Sequence, residues 1–267
     1  MNGFHVLMTG DYWHRDFFNV ISKSPVSITL KTLDSLSNAP QNNNRFDAVV
    51  VALSRRDRYS AVQLESLVHQ FVNTPVIALC GSWCEGEMRS GDPVPGMIRV
   101  YWHQWAGRLD SYLEQLKTNV PHSWLLPKIA NEADRVSVDS STPIKLELSE
   151  STIGISATSE EGYQLLRTAL DDRQRHSFWI EQEDSVSRHA LAAICIEANS
   201  FDEAVKNRVR ELRFSYPSTP VVLVMNFPRR ADFEKAAEFG IHDIVSKPFQ
   251  LKDLQFAIWR SVNGAAA

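Results

Sequence analysis

An internal duplication constrains this chain more than any other feature. Thr74-Pro-Val-Ile-Ala-Leu79 reappears, roughly 145 residues on, as Thr219-Pro-Val-Val-Leu-Val-Met225, each copy set in a similar run of apolar strands and amphipathic helices. A repeat of that length duplicates a domain, not a solenoid unit. In the first copy Val6–Thr9 and Val26–Leu30 read as strands, with helical apolar spacing over Trp13–Ser22 between them. After the turn residues Asn42, Asn43 and Asn44, the unbroken run Asp47–Leu53 has the character of a parallel strand covered on both faces. Leu64, Leu67, Val68 and Phe71 mark a helix face. Thr74–Leu79 and Met97–Tyr101 are strands, and Leu109, Tyr112, Leu113 and Leu116 line a closing helix.

The second copy repeats the order. Ile153–Ser156, Phe178–Ile180, Leu191–Ile196, Thr219–Met225 and Ile244–Phe249 read as strands or strand ends. Helices are expected over Tyr163–Leu170, Ala204–Phe214, Ala231–Phe239 (closed by Gly240) and Leu251–Val262. Strands alternating with helices imply a parallel sheet with helices on both faces in each lobe. The expected boundaries are 1–118 for the first domain, 119–150 for a linker rich in Pro, Ser, Asp and Glu, and 151–264 for the second domain. Within the linker, Ile144–Leu148 alternates like a strand.

Composition narrows the class. Lys and Arg total 28 against 32 acidic residues, a balance that argues against nucleic-acid binding by bulk charge. Three cysteines, Cys80, Cys84 and Cys195, do not make a disulfide framework and fit a reducing compartment. The N-terminal stretch lacks the pattern of a signal peptide, and no apolar run is long enough to span a bilayer, so a cytoplasmic protein without membrane or nucleic-acid partners is expected.

The stretch Phe239-Gly-Ile-His-Asp-Ile-Val-Ser-Lys-Pro-Phe249, followed by Leu251 and Leu254, resembles the end of a response-regulator receiver domain. The resemblance covers about 110 residues of the second lobe by element order and by this motif, and reaches the first lobe through architecture and duplication. It implies two tandem flavodoxin-like, doubly wound domains, each a five-stranded parallel sheet. It further implies a Lys that bonds a phosphoryl group (here Lys247) before Pro248. Receiver chemistry needs an acidic pair after the first strand to hold Mg²⁺ and a nucleophilic Asp ending the third. In the second lobe the acidic pair falls at Ala157 and Thr158, and the acceptor at Cys195 or Glu197. The switch hydroxyl falls at Met225 and the switch aromatic at Ile244, leaving Lys247 alone intact. In the first lobe Thr9 and Gly10 stand at the acidic pair with Asp11 just beyond, Ala52 at the acceptor, and His103 near the lysine. Neither lobe is expected to be phosphorylated. Lys247 is then either a surface residue on a retained turn or one half of a Lys247–Glu197 ion pair that imitates the phosphorylated state.

One corner of the first lobe stands apart. Cys80–Gly96 carries glycines and prolines where a receiver has a helix, and Tyr101–Trp105 and Asp11–His14 also follow strands. A parallel sheet brings such segments to its carboxyl edge, where open α/β sheets bind ligands. That would gather Asp11, Trp13, His14, Trp83, Cys84, Glu85, Trp102 and His103, with Trp105 and Cys80 nearby. Three readings stand: tryptophans stapling an irregular loop, a partner or small-ligand pocket, and a metal site from Cys80, Cys84 and His103 or His14. A Cys84–His103 nucleophilic pair ranks below them. The expected function is a signalling or scaffold protein, not an enzyme, that binds protein partners without phosphorylation, cofactor or metal; a second copy of the chain is among the candidate partners. The alternative is a small-ligand sensor using the Trp-rich corner, and a metal- or thiol-dependent enzyme comes third. An output through a surface of one lobe is expected, with Phe249, Leu251 and Phe256 the nearest candidates in the second lobe.

Overall fold

The computed structural model describes residues 4–22, 26–32, 46–84, 94–118, 120–141, 151–171, 175–181 and 190–264. Glu85, the Asn42–Asn44 turn and Ile144–Leu148 lie outside the described residues. The chain divides into two compact units, Met1–Pro143 and Ile144–Ala267.

The first unit contains strands β1 (His5–Gly10), β2 (Ser27–Leu30), β3 (Ala48–Arg55), β4 (Val76–Trp83) and β5 (Met97–Tyr101). All pair in parallel in the order β2-β1-β3-β4-β5. Its helices are α1 (Phe18–Ser22), α2 (Ala61–Gln70), α3 (Trp105–Thr118) and α4 (Glu132–Ser141). Every residue of β3 from Ala48 to Ser54 is buried, which is why its sequence runs apolar without alternation. Ser60 starts α2 with a reciprocal cap: its hydroxyl accepts from Gln63 N–H while the Gln63 side chain accepts from Ser60 N–H.

The second unit repeats the plan with β6 (Ser151–Ser156), β7 (Arg175–Trp179), β8 (Leu191–Glu197), β9 (Val221–Asn226) and β10 (Ile241–Lys247). The order β10-β9-β8-β6-β7, read from its other edge, equals that of the first unit, and all pairs are again parallel. Its helices are α5 (Glu160–Leu170), α6 (Glu203–Ser215), α7 (Arg230–Glu238) and α8 (Leu251–Gly264). Ile153, Ile155, Cys195, Val222 and Val224 form one core with Leu166 of α5 and Leu254 and Ile258 of α8. Ile194, Ile196, Val221 and Leu223 form the other with Val209 of α6 and Ala236 of α7. Strand residues alternate between the two cores, so both faces of the sheet are covered.

The segment read as a linker is part of the first unit over its described length. Trp124 is 3% exposed, stacks on Trp105 at 6.1 Å and meets Tyr112 at 4.7 Å. Lys128 Nζ donates to the carbonyls of Val68 and Phe71 at the end of α2, 2.7 and 2.6 Å away. Asn131 and Asp134 cap α4 reciprocally, each side chain accepting the other's N–H at 2.9 Å. Arg135 of that helix donates to the Ser123 carbonyl, and Asp139 meets Arg108 of α3 at 3.7 Å. The first unit therefore extends past residue 118, to Pro143. A polar composition concealed this, because one buried tryptophan and a few anchoring polar groups supply the attachment.

Candidate functional site

Strand register fixes which positions correspond in the two units. Ala52 pairs with Leu79, and Glu197 pairs with Val224; both partners lie at the same place after Pro75 and Pro220. Ala52 and Glu197 are thus equivalent, and of the two candidates in the second unit it is Glu197, not Cys195, that stands level with Ala52. Cys195 lies in the apolar core with no exposed surface, and burial, helped by the Glu197 charge, pushes its thiol up to about 12. It behaves there as a small hydrophobe.

Register also moves one assignment in the first unit. Gly10 pairs with Ala52, whereas in the second unit Ser156 pairs with Ile196, so Ala157 is the residue level with Glu197. Gly10 and Asp11, not Thr9 and Gly10, therefore correspond to Ala157 and Thr158. Thr9 is a fully buried strand residue, like Ser156. The one-residue slip matters, because it leaves a carboxylate in the first pocket.

Asp11 is 3% exposed, and its oxygens are saturated by neighbours. Arg58 Nε donates to both at 2.9 Å, Tyr59 Oη donates to Oδ1 at 2.9 Å, and Ser54 Oγ donates to Oδ2. Burial alone would raise this carboxyl; the bonds from Ser54, Arg58 and Tyr59, together with the Arg58 charge, outweigh it and hold it below the ordinary Asp value. A guanidinium thus covers the Asp11 carboxylate. Gly10 makes the turn into Asp11 with φ +84°, and a Cβ there would lie 2.4 Å from the Ala52 carbonyl oxygen, so the other acidic position admits no side chain.

In the second unit Lys247, at the end of β10, donates from Nζ to Glu197 Oε1, and Thr158 Oγ1 donates to Oε2 at 3.2 Å. Glu197 is mostly buried and Lys247 largely so, with side-chain exposures of 9% and 18%. Gly162, near the start of α5, makes room: a Cβ there would stand 3.0 Å from Glu197 Oε2. The Lys247–Pro248 peptide is cis. Of the two readings of Lys247, the structure contains the ion pair. Met225 and Ile244, at the switch positions, are 2% and 4% exposed and belong to one apolar core. Neither supplies a hydroxyl or a ring that could follow a change at the pocket.

The Trp-rich corner separates into two places. Trp13 and Trp83 are 64% and 73% exposed and line an open cleft of about 610 Å³ with Asp11, His14, Ser54, Arg55, Arg56 and Arg58. Trp102 and Trp105 are buried, because β5 passes straight into a 3-10 turn and α3, whose winding directs them inward. The arginines of the cleft sit at the end of β3 and on the connection that follows it, and sequence reasoning missed them; the signal was the basic run Arg55-Arg56-Asp57-Arg58 closing an apolar strand. Cys84 is fully buried and its thiol donates to the Leu53 carbonyl at 3.3 Å. Among the described residues no group of three or more His, Cys, Asp and Glu is placed to hold a metal ion.

His103 lies away from the cleft lining, with its ring parallel to Tyr101 at 5.9 Å and edge-on to Trp102 at 5.5 Å. Burial pushes its pKa down to about 4 from 6.5, so the folded state disfavours the proton. The unfolded chain takes up that proton first as pH falls, so this contribution to stability is complete above about pH 6.5 and is lost between about 6.5 and 4. The melting temperature of the first unit is expected to fall through that window, and His103→Phe is expected to flatten the dependence. An unchanged slope in the variant would contradict the assignment.

No family model and no curated protein matches the sequence. Solved structures do. The signal receiver domain of an HD domain-containing protein from Pseudomonas fluorescens Pf-5 aligns at 17% identity and TM-score 0.37, covering 43% of this chain and 97% of that one. A pilus assembly protein CpaE from Caulobacter crescentus CB15 aligns at 16% and 0.35, covering 41% and 92%. A response regulator from Thermotoga maritima aligns at 18% and 0.36, covering 42% and 98%. On the strand order, parallel register and helix layering of each unit, the chain consists of two tandem receiver-like units of flavodoxin-like topology.

Proposed function

We propose that this protein is a cytoplasmic signalling or scaffold module that binds a protein partner and whose receiver-like pockets do not undergo phosphorylation. The observation carrying this reading is the Lys247–Glu197 pair with its Thr158 hydrogen bond. In a receiver the lysine answers a charge that arrives with the phosphoryl group; here the opposing charge is part of the chain. The strand ends are then tied together without modification. The first pocket is closed by the same logic, with Arg58 in place of a metal and Asp11 in place of an exposed ligand. Phosphoryl transfer to a carboxylate needs Mg²⁺ to neutralise the developing charge, and an acidic pair reduced to Ala157 and Thr158 gives it no carboxylate oxygens. No helix among the described residues is long and apolar enough to cross a membrane.

The contact surface on the second unit is proposed around the start of α8, where Leu251 is 53% exposed. Phe256 is 2% exposed and belongs to the interior, so it leaves the list of surface candidates, and Phe249 packs partly against the core. The reading is tested by adding beryllofluoride and Mg²⁺, a phosphoryl mimic, while following backbone amide resonances. The expected spectrum is unchanged at Thr158, Glu197 and Lys247. Saturable shifts centred on these residues would mean that the pocket still accepts a phosphoryl-like group.

A further inference from the structure

We propose that the cleft at the carboxyl edge of β1, β3 and β4 binds a nucleotide, with its base against Trp13 and Trp83 and its phosphate on Arg55. This goes beyond the reading of the two pockets and does not depend on it, since Arg58 is committed to Asp11 and is assigned no part in the ligand.

Four observations converge. The first is position. The cleft lies where β1 and β3 leave a 2-1-3-4-5 sheet at their carboxyl ends, the switch point at which the chain departs to opposite faces and leaves a crevice. The second is size: about 610 Å³ falls within the range of roughly 300–1,000 Å³ that cofactor-sized ligands occupy.

The third is the aromatic lining. Two indoles that remain 64% and 73% exposed inside a concavity hold apolar surface in water, and a planar ring laid on either would remove it. Trp13 is braced for this by Tyr12, edge-on at 5.1 Å. The fourth is the charge beside that surface. Arg55 pairs with Trp83 across β3 and β4, just past a register shift that redirects the end of β3. A guanidinium and an indole are therefore neighbours by strand geometry. Among the described residues Arg55 makes no ion pair.

These demands select a ligand class. Phosphate alone would meet Arg55 and leave the indoles wet. An uncharged aromatic would cover the indoles and make no use of the Arg55 guanidinium, a group that favours bidentate phosphate contacts. A heteroaromatic ring carrying phosphate satisfies both.

The test is isothermal titration calorimetry on the full chain with AMP, GMP, ATP, GTP and cyclic diguanylate, against adenosine, guanosine and inorganic phosphate. At least one nucleotide is expected to bind at one per chain and more tightly than its nucleoside or phosphate alone. Trp83→Ala and Arg55→Ala are each expected to weaken it about tenfold or more, through lost stacking and lost charge. Both side chains are exposed, so both variants are expected to fold as the parent does. Absence of binding up to about 1 mM, a Kd at the weak end of specific recognition, would overturn the proposal. So would an affinity unchanged in both variants, or inorganic phosphate binding as tightly as any nucleotide. None of these outcomes bears on whether the pockets are phosphorylated.

Discussion

Trp124→Ala is expected to destabilise the first unit by about 3–5 kcal/mol, the range for removing a large aromatic from a packed interior. The indole is 3% exposed and touches Trp105, Tyr112 and His122, so its loss opens a cavity between α3 and the segment that follows. Hydrogen exchange followed by mass spectrometry on the full chain provides the readout. Peptides from β1, β3 and β4 should lose protection by about two to four orders of magnitude, while those from β8 and β9 serve as the internal control. Unchanged protection in the first-unit peptides would mean that residues 120–141 are a detachable linker after all.

The second large effect concerns the charge pair. Glu197→Ala leaves the Lys247 ammonium without its partner in a site that retains little water, and a loss of about 2–3 kcal/mol is expected. That lies below the roughly 3–5 kcal/mol of a fully buried pair, because 18% of the Lys247 side chain still reaches solvent. Replacing both partners together, as Glu197→Leu with Lys247→Met, is expected to cost much less than the single change, since the desolvation penalty goes with the charges. Urea unfolding of the parent, both single variants and the double variant completes the cycle. A double variant as unstable as the sum of the two singles would show that the side chains are not coupled, and the account of the pocket would fall with it.

The parts legible in the sequence were those that physics writes locally. β3, β4, β8 and β9 are buried on both faces, so their apolar runs announced both the strands and their parallel arrangement. Lys247 was legible because the Lys-Pro pair is a short motif, whereas Glu197 was one of two candidates with Cys195 until strand register separated them. The Asp11–Arg58 contact was not legible. Its partners stand 47 residues apart, and the turn that joins them depends on Asp57 in a left-handed conformation at φ +54°. The slip from Thr9 to Gly10 had the same origin, since only strand register decides which residue lies level with Ala52.

The tryptophans illustrate the remaining limit. All four near the strand ends belong to segments that leave the carboxyl edge, and that much topology dictates. Whether each then faces solvent depends on the first turn of backbone after the strand: Asp11–His14 is irregular and leaves Trp13 outside, whereas Trp102–Gln104 winds at once and carries Trp102 inward. Helix α4 was hidden for a different reason. Its attachment relies on capping and polar anchors instead of a continuous apolar stripe.

The central claim is that side chains of this protein already occupy the charge positions of both receiver-like pockets. Intact mass after incubation with Mg²⁺ and acetyl phosphate, with Glu197→Ala and Asp11→Ala alongside, tests it most directly. The expected result is no added phosphoryl group on the parent chain. A stable gain of one phosphoryl group that disappears in either variant would contradict the claim, because a carboxylate held by Lys247 or Arg58 would then be a working acceptor.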